Sequence, residues 1–279
     1  MKGVYFFAIY CVLGTFLFPA CGGSSTGDAS KDSTTVQVQL KEENVSYKAD
    51  TINANGFVVY DENNKDKRPA ILVVHEWWGM NDYAKSRARQ LAALGYVAFA
   101  VDMYGNGKTA DNPTDAGGLA TPFYKDPSLA KTRLDAAIEL LKQNPMVDTN
   151  KIAAIGYCFG GFVVLNAAKQ GADLAGIVSF HGNLSGVQPD KNLLKSKVLV
   201  CHGAVDPFVS KEEVASFRKG MDSIGANYTF IAYDSAVHAF TNPMATEMGK
   251  KFNIPVAYNE AADKKSWEDM KAFFIELFR

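Results

Sequence analysis

The chain has 279 residues, 47% of them hydrophobic, and 29 basic against 30 acidic side chains give a formal net charge of −1. That is enough chain and apolar content for one full core. The charge balance excludes the basic surface of a nucleic-acid binder, and no repeat of solenoid or propeller period is present.

The first twenty residues differ from the rest. Lys2 is followed by an apolar run over 4–18, short for a bilayer-spanning helix but the right length for the core of an export signal. The run ends Phe18-Pro19-Ala20-Cys21-Gly22, which resembles a bacterial lipoprotein cleavage box, where a small residue precedes the cysteine that takes the lipid. Phe18 and Pro19 depart from the usual leucine and small residue, so ordinary signal-peptidase cleavage and an uncleaved anchor stay open. Residues 22–35 hold little that could be buried and read as a flexible tether. The expected organisation is a signal over 1–20 with Cys21 as the lipidation candidate, a tether over 21–42 and one domain over 43–279. Such a protein would be exported and held on the membrane of the cell envelope by its N-terminal lipid.

In the domain, residues 45–48 and 56–60 suggest an antiparallel pair. Residues 70–74 form a buried strand that ends in His75-Glu76-Trp77-Trp78-Gly79. Asn81 can cap a helix whose apolar face is Ala84, Ala88, Leu91 and Ala92, closed by Gly95. Residues 96–101 are the next strand, delivering Asp102-Met103-Tyr104-Gly105. The segment 105–127, rich in Gly, Thr, Asp and Pro, reads as a long irregular cover over a site. A helix marked by Leu134, Ala137, Ile138 and Leu141 precedes a short apolar strand over 152–155.

That strand runs into Gly156-Tyr157-Cys158-Phe159-Gly160-Gly161 and then a helix over 159–170. Gly-x-Cys-x-Gly between a buried strand and a helix is the pattern of a nucleophile elbow with cysteine in place of serine. The glycines are needed because the nucleophile is held in a strained conformation close to crossing backbone, and the helix N-terminus favours a thiolate. A buried structural cysteine beside packing glycines is the plainer alternative.

Residues 175–180 and 197–201 are further strands, the latter ending in His202-Gly203 with Asp206-Pro207 beyond. Ser210 and Glu213 form a capping box for a helix with Val214, Phe217, Met221 and Ile224 inward. Residues 228–233 make the last strand, His238 follows it, and Trp267, Met270, Phe274 and Leu277 space a closing helix. The alternation of strands and helices predicts an α/β fold, with a mostly parallel central sheet covered by helices on both faces. Cys158 and Cys201 would lie on strands separated by a third, about 9 to 10 Å apart, too far for a disulfide.

Cys158, Asp206 and His238 each follow a strand on the carboxyl side of the sheet, where such folds bind ligands. Their order is nucleophile, acid, histidine, so His238 can take the thiol proton while Asp206 orients the imidazole. His75, His181 and His202 also end strands and read as lining. No spacing of His, Cys, Asp or Glu suggests a metal site.

From residue 70 onward the chain resembles the dienelactone hydrolase family of α/β-hydrolases. The resemblance is carried by His75-Glu76-Trp77-Trp78-Gly79, Asp102-Met103-Tyr104-Gly105, the Cys158 elbow, Asp206-Pro207-Phe208-Val209 and His238-Ala239-Phe240. It implies an α/β-hydrolase fold and a catalytic triad of Cys158, Asp206 and His238. Glu76 would touch the resting thiol and help it ionise, and the backbone N–H groups of Phe159 and Trp77 would hold the oxyanion. The implied activity is hydrolysis of a small-molecule lactone or ester through a thioester, with no cofactor. The family's arginine shortly after the histidine, which binds a substrate carboxylate, has no counterpart in Thr241-Asn242-Pro243. Lys108, Lys125 and Arg133 are the cations left to replace it. Trp78, Tyr104, Phe123, Tyr124 and Phe180 are candidates for an aromatic substrate pocket. A general carboxylesterase or thioesterase on the same triad, and a tethered binding protein without turnover, are the alternatives.

Overall fold

The computed structural model describes residues 37–279, so the expected signal, Cys21 and most of the tether lie outside the described residues. The domain is built on an eight-stranded sheet. A hairpin of β1 (Leu40–Ala49) and β2 (Ile52–Asp61) turns at Asp50, which has a left-handed backbone (φ 56°). Then come β3 (Arg68–Val74), β4 (Val97–Val101), β5 (Val147–Tyr157), β6 (Gly176–Phe180), β7 (Lys197–Gly203) and β8 (Tyr228–Tyr233). The order is β1-β2-β4-β3-β5-β6-β7-β8. The β1–β2 and β2–β4 pairs are antiparallel and the others parallel. β1 starts at Leu40, inside the segment expected to be tether.

Side chains alternate across the sheet with the period of two that a strand imposes. Ala70, Leu72 and Val74 enter one core, shared with α2 (Pro113–Lys125), α3 (Ser128–Lys142), α4 (Phe159–Lys169) and α5 (Lys211–Ser223). Ile71 and Val73 enter the other, shared with α1 (Asp82–Ala93) and α7 (Glu260–Leu277). Because both faces are covered, the central strands are apolar throughout rather than alternating. The chain has the α/β-hydrolase fold that its sequence predicts.

The expected caps form in part. Asn81 Oδ1 accepts the N–H groups of Tyr83 and Ala84 at the start of α1. Ser210 Oγ accepts the Glu213 N–H at 3.1 Å, but the Glu213 carboxylate does not close the expected box. It reaches instead to the N–H groups of Leu184 and Ser185, at 2.7 and 3.0 Å, where it ties a loop to α5.

The segment 105–127 is not irregular throughout, since α2 occupies its second half. Asn112 Oδ1 accepts the Asp115 N–H, and Pro113 takes the first turn, where its missing N–H costs nothing. Ala116, Ala120 and Phe123 then bury one face. Gly117, Gly118 and Pro122, poor interior helix residues, hide this helix in the sequence. A second unexpected helix, α6 (Ala245–Phe252), follows His238 and ends at Asn253 in the left-handed conformation (φ 53°).

β6 lies between β5 and β7, and Cys158 and Cys201 are both free. Among the described residues, no helix is long and apolar enough to cross a membrane.

Candidate active site

Cys158 stands between β5 and α4 with φ 54° and ψ −114°, a strained conformation for a side-chain-bearing residue. Close approach of the surrounding backbone explains the flanking glycines. A Cβ on Gly156 would lie 2.0 Å from Gly160 O, and one on Gly160 would lie 2.2 Å from Val74 O. The Cys158 N–H is shared between Phe180 O at 3.0 Å and His181 Nδ1 at 3.1 Å.

The three residues expected to act together are brought together. His238 Nε2 is 3.0 Å from Cys158 Sγ, and His238 Nδ1–H donates to Asp206 Oδ2 at 2.9 Å. The other Asp206 oxygen accepts the Phe208 N–H at 2.8 Å, which fixes the carboxylate. Burial pulls the basicity of His238 down, but the sulfur of Cys158 and the Asp206 carboxylate outweigh it and raise its pKa above the ordinary value. The arrangement favours a proton on the imidazole.

Phe159 and Trp77 are where an oxyanion hole needs them in the chain, one directly after the cysteine and one after β3. Neither N–H donates to an acceptor among the described residues. The Trp77 peptide is held from behind by Tyr104, whose hydroxyl donates to Trp77 O at 3.0 Å. His75 is fully buried, donating from Nδ1 to Glu76 O at 2.5 Å and accepting the Met103 N–H on Nε2.

Glu76 and Cys158 line the same pocket, and no hydrogen bond joins the Glu76 carboxyl to the thiol. Glu76 Oε2 accepts a hydrogen bond from Asn242 Nδ2 at 2.6 Å, and the partner of the thiol is His238. Burial raises the Glu76 carboxyl to about 7, with the Asn242 bond pulling the other way. Asn242 lies in the stretch after His238 in which the resemblance calls for an arginine.

The pocket beside Cys158 encloses about 280 Å³ and has no lysine or arginine in its lining. Of the five expected aromatic residues, Trp78 and Tyr124 line it and three do not. Tyr104 and Phe123 pack behind it, ring to ring with Phe159. Phe180 is in the opposite core, stacked on Tyr157 at 4.8 Å. Arg133 is no substitute cation either, because its guanidinium is buried and donates to Met103 O.

The residues missed are Phe208, whose ring meets that of His238 at 5.0 Å, and the wall from α6 and the loop after it. Met244, Met248 and Phe252, spaced by four, were the available signal for that helix. Among the described residues, no cluster of His, Cys, Asp or Glu is arranged to hold a metal ion.

The model of the dienelactone hydrolase family matches residues 55–278. The chain belongs to this family. It is a hydrolase of the dienelactone hydrolase type, acting on ester bonds. A solved dienelactone hydrolase-like promiscuous phosphotriesterase from metagenomic libraries is 36% identical, with a TM-score of 0.80 over 85% of this chain and 98% of that one. A protein of Aquifex aeolicus named "Putative carboxymethylenebutenolidase" is 31% identical, over 62% of this chain and 77% of the relative. Protein usf of Aquifex pyrophilus is 29% identical, over 75% of this chain and 88% of the relative.

Proposed function

We propose that this dienelactone hydrolase family member cleaves its ester or lactone with Cys158 as nucleophile, through a thioester intermediate. The observation that carries the reading is the hydrogen-bonded chain from Cys158 Sγ through His238 to Asp206 Oδ2. His238 accepts the thiol proton and the sulfur attacks the carbonyl carbon. The oxygen takes the displaced electron pair and is held by the free N–H groups of Trp77 and Phe159. Collapse expels the alcohol oxygen, which takes the proton from His238, and Cys158 is left acylated. His238 then removes a proton from water, the hydroxide attacks the thioester, and the acid leaves as the thiol is restored. Asp206 keeps the imidazole in the tautomer that both half-reactions need.

The pairing of Asn242 with Glu76, and a lining without lysine or arginine, favour esters and lactones that carry no second carboxylate near the reacting carbonyl. That points towards a carboxylesterase range of substrates on the family's machinery. Cys158→Ala should abolish turnover of aryl esters and lactones while the far-ultraviolet circular dichroism stays that of the parent. Undiminished turnover would refute the assignment.

The same reading includes export and lipid anchoring through Cys21, supported by the apolar run over 4–18 and the residues at its end. Cells expressing the full chain should incorporate an alkyne-tagged fatty acid into it. Cys21→Ala should lose the label, and labelling that survives this substitution would refute the anchor.

A further inference from the structure

The pocket extends beyond the catalytic groups along a wall that the chemistry of ester cleavage does not use. α6 supplies Ala245 and Met248 to it, and the loop behind supplies Ile254 and Val256. The wall is tightly built. A Cβ on Gly249 would lie 2.4 Å from Val256 O, so helix and loop are in backbone contact. Val256 bridges to His238, and Trp78 packs on Phe252 at 5.9 Å, which ties the wall to both sides of the reacting centre.

The apolar surface continues outside. Eight large hydrophobic side chains are exposed among the described residues, and four of them, Tyr124, Val205, Phe208 and Met244, belong to the segments that build this pocket. Tyr124 and Phe208 line the cavity while remaining 44% and 48% exposed. Met244, at 54%, is the residue before Ala245. Single exposed apolar residues need no explanation, but a group of them around a concave apolar site marks a binding surface. Asn242 donates to Glu76, and no lysine or arginine lines the pocket to receive an anionic substituent.

We propose that α6, the loop carrying Ile254 and Val256, and the exposed rim form a chain-binding site for an ester bearing a long, uncharged aliphatic chain. This rests on the ester cleavage by Cys158 proposed above. The chain lies against Met248, Ile254 and Val256 and emerges between Phe208, Met244 and Tyr124. Each methylene taken out of water raises kcat/KM by about fourfold until the chain passes the rim.

The test is kcat/KM for two series at monomeric concentrations. In one, p-nitrophenyl acetate, butyrate, octanoate and dodecanoate place the chain on the acyl side. In the other, ethyl, butyl, octyl and dodecyl acetates place it on the alcohol side. At about fourfold per methylene, at least one series should rise by about 4,000-fold from its shortest member to the eight-carbon ester, which adds six methylenes. Met248→Ser and Met244→Ser, both at partly or largely exposed positions, should each reduce that ratio by about tenfold. Turnover of the short esters with a flat or falling dependence in both series overturns the chain site and leaves the Cys158 chemistry standing. Equal losses on short and long esters in both variants overturn it as well. No turnover of any ester overturns both readings.

Discussion

Asn242 donates to Glu76 across 2.6 Å, joining the loop after β8 to the end of β3 inside a pocket lined by no lysine or arginine. The bond engages one oxygen of the carboxyl and one N–H of the amide. Glu76 shares the pocket lining with Cys158, and the stretch after His238 in which the family resemblance calls for a carboxylate-binding arginine presents an amide that donates to this acid. A substrate carboxylate would therefore meet a buried acid with no lysine or arginine in the lining to balance it.

Burial raises Glu76 to about 7 from the ordinary 4.5. Between those values the folded protein keeps a proton that the unfolded chain has released, so this group's contribution to stability falls as pH rises through that window and is flat above it. Glu76→Gln should remove the slope. Urea unfolding should show the variant level with the parent near pH 5 and more stable by up to about 3 kcal/mol near pH 8. The same difference at both pH values would contradict a raised Glu76 carboxyl.

Lys169 is buried at the end of α4, with Leu184 O at 3.4 Å as its hydrogen-bond acceptor, and burial lowers its pKa to about 8 from 10.5. Here the unfolded chain holds the extra proton, so stability rises with pH between those two values and the cost of burying the charge is fully present below about 8. Lys169→Met should stabilise the protein by up to about 3 kcal/mol at pH 7, with the gain shrinking towards pH 10. A destabilised variant at pH 7 would show that the ammonium is well satisfied where it lies.

Gly160→Ala would drive a Cβ to within 2.2 Å of Val74 O and 2.7 Å of His75 O, both backbone atoms that cannot swing aside. The expected cost is about 3 kcal/mol or more, with loss of ester turnover, because β3 carries Trp77 on its far end. Urea melts and activity should fall together. A variant of parental stability would mean that the elbow is looser than its contacts indicate.

Much of this molecule can be read from sequence for a definable reason. The central strands are apolar on both faces and each ends in a short polar segment, so Cys158, Asp206 and His238 are marked by their position after a strand. What failed were features set by packing at a distance. Tyr104, Phe123 and Phe180 have the composition of a pocket wall, but only their neighbours Phe159 and Tyr157 decide that they face the core. α2 is concealed by two glycines and a proline that tertiary contacts override. Nothing in the local sequence of Glu76 or Asn242 announces a bond between residues so far apart in the chain. The Glu213 box went half unmade because the loop at Leu184 offers two N–H groups in place of one.

The most direct test of covalent catalysis is intact-protein and peptide mass spectrometry of the domain, quenched rapidly after mixing with p-nitrophenyl acetate. An acetyl group should appear transiently on Cys158 in the parent. In His238→Ala it should form more slowly and persist, because water is no longer activated against the thioester. Turnover by the parent with Cys158 never acylated, or with the acetyl group on another side chain, would contradict the account.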